Sequence, residues 1–215
     1  MAEDGANPAP EAAAKATTAK EHIDAAIKAH SEKDQAFMKK LRDIKDRTKM
    51  MEMYRNERPS PQPAIDLILQ HAKKDPTAEG VARGLTWSLR GASSEQRKTI
   101  TQLMLTHYKD SKVLGSLAHH YYGYAFGGED QLREIVNVAG DKKVRQGATY
   151  YLAEKLMKKA ETKAEGLTMM KQLAATPDLE KENPQLLAQA NIKIMVAEKL
   201  GIGCTAPDIV GTDHE

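Results

Sequence analysis

Cysteine is almost missing from this chain: 215 residues carry one, Cys204. A single thiol excludes a disulfide framework, a CxxC redox pair and any thiolate metal cage, so the core must rest on apolar burial. Bulky aromatics are equally scarce, with one tryptophan and two phenylalanines. No apolar run approaches the roughly 18 residues that a membrane helix needs, and no basic segment followed by an apolar one opens the chain as a signal peptide would. An excess of either charge is also lacking, since 32 basic residues face 30 acidic ones for a net charge of +2. That balance argues against a dedicated nucleic-acid or anionic-membrane surface, whose mark is clustered basic charge.

What is present is helical periodicity. Residues 1–18, MAEDGANPAPEAAAKATT, are rich in Ala, Pro and Glu and poor in bulky apolar groups, so a disordered N-terminal segment is expected. Such a start fits either an exported protein after signal removal, hence an extracytoplasmic location, or an ordinary cytosolic one. Residues 19–56 then read as one long helix. Its seam runs through Ile23, Ile27, His30, Asp34, Phe37, Leu41, Ile44, Thr48 and Met51 at alternating steps of four and three, interrupted by three polar positions. Residues 57–63, ERPSPQP, hold three prolines and are expected to form a linker.

Residues 64–200 repeat one pattern of paired helices. Ile65, Ile68, Leu69 and Ala72 make an apolar face, Asp75 marks a turn, and Ala78, Ala82, Leu85 and Leu89 resume the helix. The same pattern returns with Ile100, Leu103, Met104 and His107, Asp110, then Val113, Leu117, His120 and Tyr124. It returns again with Leu132, Ile135, Val136 and Ala139, Asp141, then Val144, Ala148, Tyr151 and Lys155, where the last position has turned polar. Asp75, Asp110 and Asp141 are expected to cap the second helix of each pair, because a carboxylate there accepts from the unpaired first-turn N–H groups. Asn183-Pro184 reads as the cap and first-turn proline of a further helix. The expected fold is therefore all-α: a long N-terminal helix followed by a solenoid-like array of helical hairpins, near the tetratricopeptide or HEAT type, and a short extended tail.

Chemistry-bearing clusters are few. The stretch Ala118-His-His-Tyr-Tyr-Gly-Tyr-Ala-Phe126 concentrates aromatic and imidazole groups. Neighbouring His119 and His120 diverge by about 100° on a helix and so share a metal poorly. Trp87, His119, His120, Tyr121 and Tyr124 are instead candidates for a protein-binding surface, or else form the packed centre of the array. Gly127-Gly128-Glu129-Asp130 lacks the cation that a phosphate loop requires, and its acids suit the first turn of a helix over about 130–139. No arrangement suggests a nucleophile with its base, paired carboxylates or a cofactor loop, so no catalytic, metal or cofactor residue is expected and the chain is read as a non-enzyme, with a helical enzyme of unrecognised site kept open.

The final segment, GIGCTAPDIVGTDHE at 201–215, departs from the helical pattern. Gly201 and Gly203 end the preceding helix, and Pro207 with Ile209 and Val210 favours extended backbone. Gly203, Ala206, Pro207, Ile209 and Asp213 resemble the segment that opens the thioredoxin-like domain of TlpA-type and peroxiredoxin-type redoxins. The resemblance implies that 201–215 is a connector into such a domain, with its redox cysteines further downstream, and that the helical array is an accessory region which holds the redox domain or mediates assembly. Cys204 occupies a spacer position of that motif and inherits no catalytic role. A free-standing helical-repeat adaptor is the alternative, and in either case the partner is protein.

Overall fold

The computed structural model describes residues 18–124 and 128–199, and all regular structure in them is helical. The expected disordered start, the connector 201–215 and Cys204 lie outside the described residues, except for Thr18. Helix α1 spans Ala19–Arg42 and opens on a capping box. Thr18 Oγ1 accepts from the Glu21 N–H at 3.2 Å while the Thr18 N–H donates to the Glu21 carboxylate at 2.7 Å. Ile23, Ile27, Phe37 and Leu41 form its buried stripe.

The single helix expected over 19–56 is broken. After Arg42 the chain turns, and α2 runs from Arg47 to Glu57. Asp46 causes the interruption: its Oδ1 accepts from the N–H groups of Thr48 at 2.8 Å and Lys49 at 3.2 Å, an alternative to continuing the ladder that short polar side chains offer. The apolar seam stops with α1, because α2 buries no residue and leaves Met51 and Tyr54 exposed. Tyr54 keeps one tie to α1, its ring centroid 6.2 Å from that of Phe37.

The expected linker 57–63 shrinks to Arg58–Pro61, since Glu57 closes α2 and α3 spans Gln62–Lys74. Proline is tolerated in a first helical turn, where its missing N–H has no partner to lose. The array then continues through α4 (Val81–Ser88), α5 (Ser94–His107), α6 (Val113–Tyr122), α7 (Glu129–Val138), α8 (Lys142–Met157), α9 (Lys163–Ala174), the short α10 (Leu179–Glu182) and α11 (Pro184–Lys199). Asn183 caps α11 as expected, its Oδ1 accepting from the Leu186 N–H at 3.2 Å.

Consecutive hairpins stack. Helix α1 covers α3 and α4, α4 packs on α6, α6 on α8, and α8 on both α7 and α9. The predicted faces supply the core: Ile65, Ile68, Ile100, Met104, Leu117, Leu132 and Ile135 are fully buried in one cluster that runs from Ile23 to Leu156. A second cluster, with Ala153, Met170, Leu173, Leu179, Leu186 and Ala190, joins α8 to α9 and α11. Helix α8 thus belongs to both.

Of the three turn aspartates only Asp141 caps as expected, accepting from the Val144 N–H at 3.0 Å. The carboxylate of Asp75 is used within its own turn, accepting from the N–H and hydroxyl of Thr77 at 3.0 Å each, and the N-cap of α4 falls five residues later at Gly80 with no side-chain cap. Helix α6 opens on Lys112 with no side-chain cap, and one residue earlier Ser111 Oγ accepts from the Val113 N–H at 3.3 Å. Asp110 instead lies against the next turn, where the Gly140 N–H donates to the Lys109 carbonyl at 2.9 Å. A Cβ on Gly140 would stand 2.0 Å from Asp110 Oδ1, but that oxygen ends an exposed side chain that can turn away, and the Asp110 Cα stands 3.6 Å off. With Asp110 rotating aside, Gly140→Ala is expected to change stability by less than about 1 kcal/mol in urea unfolding.

Candidate functional site

Helix α6 divides the residues expected to act together. Successive side chains on a helix point about 100° apart, and His119 and Tyr122 face α8 while His120, Tyr121 and the following Tyr124 face α5. On the α8 side Tyr122 stacks on Tyr151, with ring centroids 4.5 Å apart and planes 22° apart. His119 Nδ1 approaches the Tyr151 hydroxyl at 3.4 Å. On the α5 side the buried Tyr121 shares a 2.6 Å hydrogen bond with Thr101. His120 Nε2 lies 3.0 Å from the Tyr124 hydroxyl, and the Arg97 guanidinium lies over the Tyr124 ring. Burial holds the His120 imidazole below its ordinary value, and the Arg97 and Arg90 charges push it the same way, which favours its neutral form. Tyr121 is core; His119, His120 and Tyr124 retain partial exposure.

Trp87 belongs elsewhere. On α4 it meets the edge of His30 from α1, with centroids 5.4 Å apart and planes at 77°. Both line an open trough of about 800 Å³ between α1, the 58–61 linker and α4, floored by Ile65. The five candidates therefore occupy three environments rather than one groove.

A polar network at the C-terminal half of α8 did not appear among the sequence candidates. Glu154, only 7% exposed, accepts from the Tyr122 hydroxyl at 2.7 Å and from Lys193 of α11 at 2.8 Å, with Lys158 Nζ at 3.6 Å. Burial raises the Glu154 carboxyl, but the bonds from Lys193 and Tyr122 with the Lys158 charge outweigh it and leave the group below its ordinary value. Burial and the same carboxylate push the Tyr122 phenol upward. Beside it Lys155, 5% exposed, donates to the main-chain carbonyl of Tyr124. Burial lowers the Lys155 ammonium, with the nearby Glu129 charge opposing that shift. One signal in the sequence pointed here, the replacement of an apolar repeat position by Lys155. The network joins the end of α6, α8 and α11, and every member has a partner, which is the condition under which buried charges support a fold.

Among the described residues no three His, Cys, Asp or Glu side chains gather as metal ligands, and no helix is long and apolar enough to cross a membrane. No protein-family model, curated protein or solved structure matches the chain.

Among the described residues, α11 carries three of the six exposed large apolar side chains. On α11, Leu186, Ala190 and Ile194 turn toward α9 and α8, while Ile192, Met195 and Val196 are 55%, 45% and 43% exposed. The three fall at i, i+3 and i+4, one stripe on the face away from the array. Exposed apolar residues scattered singly need no explanation, whereas a contiguous stripe marks a surface that another element covers.

Proposed function

We propose that this chain is a non-catalytic helical scaffold that orients a thioredoxin-like domain or mediates its assembly, with the Ile192, Met195 and Val196 stripe of α11 as the docking face. The observation that carries the reading is the placement of that stripe, on the helix that directly precedes the segment resembling the opening of a redoxin domain. A rigid base supports it, since α11 is fixed to α8 through Lys193 and Glu154 and to α9 through Lys171 and Glu198. The free-standing adaptor is the second reading, favoured by the trough beside Trp87.

A photo-crosslinking residue at position 196 in the native gene product separates the two. Crosslinks mapped by mass spectrometry to the same polypeptide beyond Glu215 agree with the scaffold. Crosslinks to a different polypeptide with none inside the chain favour the adaptor.

A further inference from the structure

The trough between α1 and α4 is a built recess of about 800 Å³, well above the ~300 Å³ at which clefts begin to bury a ligand. Its wall offers three unlike chemistries. Trp87 presents a half-buried indole, steadied on one side by His30. Arg58 is already engaged, its Nε donating to Asp34 at 3.3 Å and its guanidinium over the Tyr54 ring, so Asp34 is neutralised inside the trough. Arg90 is exposed and forms no ion pair among the described residues. The hydroxyls of Ser31 and Thr86 are spent on helix carbonyls, at 2.8 Å to Ile27 and 3.0 Å to Ala82. Gln35 is exposed and keeps a free amide, which can donate and accept at once as a peptide backbone requires.

We propose that this trough binds an acidic, extended protein segment, with an apolar or proline side chain on Trp87, its backbone on the Gln35 amide and a carboxylate on Arg90. Charge selects the occupant. The cation–carboxylate pairing inside the trough is complete except at Arg90, so one anionic group is accepted and a second cation is repelled. The open shape suits a chain that passes through rather than a ligand that is enclosed. This surface is remote from the α11 stripe and stands independently of the redoxin reading.

Trp87 is the only tryptophan, so the emission of the full chain excited beyond the tyrosine absorption band reports this trough alone. The probes are a blocked hexapeptide alternating glutamate and proline, its glutamine–proline and lysine–proline counterparts, and a short oligothymidylate. A saturable change is expected with the glutamate peptide only. Arg90→Ala should weaken it by about tenfold or more, the size of a lost charge-assisted hydrogen bond, and Arg90→Glu should transfer the response to the lysine peptide. Neither substitution removes a partner that the fold uses, and Arg133→Ala, in a distant ion pair with Glu165, should leave binding unchanged. The proposal is overturned by no saturable response to the glutamate peptide, by equal responses to all three peptides, by a response to the oligonucleotide instead, or by indifference to Arg90→Ala.

Discussion

Gly166→Val is expected to detach α9 from α8 and cost the chain the cooperativity of its C-terminal third. Gly166 sits in the first turn of α9, pressed on the end of α8. A Cβ there would lie 2.6 Å from the Ala153 carbonyl oxygen, 2.7 Å from the Met157 nitrogen and 2.9 Å from Leu156 Cβ. Two of these are backbone atoms inside a helix and cannot rotate aside. In an open helix Gly→Ala would gain about 1 kcal/mol of propensity, so even the sign of the change is diagnostic. Overpacking should win, with Gly166→Ala destabilised by about 1–3 kcal/mol and valine by more. The second apolar cluster spans this junction, so hydrogen exchange should accelerate in α9 and α11 before it does in α3 to α6. Unchanged or raised stability in urea would show that the two helices do not meet as closely as described.

The second large effect concerns Glu154. Glu154→Leu leaves Tyr122 and Lys193 without their acceptor in a site where the carboxylate is nearly sealed from solvent. Removing one partner of a buried pair costs about 3–5 kcal/mol. The side chains of Lys193 and Lys158 are 40% and 63% exposed and can turn to water, which places the expected loss nearer about 2–3 kcal/mol. The pH dependence has a definite sign. The folded-state carboxyl lies below its ordinary value of 4.5, so its contribution is complete above that pH and fades as pH falls through the folded value. Urea midpoints of the native chain should therefore drop below about pH 4.5, and Glu154→Gln should be less stable at pH 7 and flatter with pH. Equal pH slopes for the two proteins would remove Glu154 from this role.

These two sites show where sequence periodicity stops being informative. The apolar faces from Ile65 to Ala148 were legible because burial imposes a 3.6-residue repeat, and each hairpin could be placed from its own stripe. The break of the first helix was not legible, because the seam continued in phase through Ile44, Thr48 and Met51 while the decision lay with one side chain, Asp46. Asp75 and Asp110 share a position with Asp141 but not its geometry, since the turn after Asp75 is longer and α6 opens on Lys112 with no side-chain cap. Candidate residues close in sequence were separated by helical rotation, as His119 and His120 show. Those that do meet are far apart in the chain: Tyr122 with Tyr151, Glu154 with Lys193, and His30 with Trp87. Pairing across helices depends on how neighbouring hairpins are rotated, which no local pattern encodes. The polar drift at Lys155 was the one local trace of the buried network.

The proposed scaffold joins the exposed stripe of α11 to a segment, 201–215, that is proposed to open a redoxin domain. Intact mass and peptide mapping of the native gene product, purified from its host, address that junction directly. The account predicts a polypeptide that continues past Glu215 and carries a redox-active cysteine in the continuation. A product that ends at Glu215 with Cys204 as its single cysteine would contradict it and leave the Trp87 trough as the functional surface.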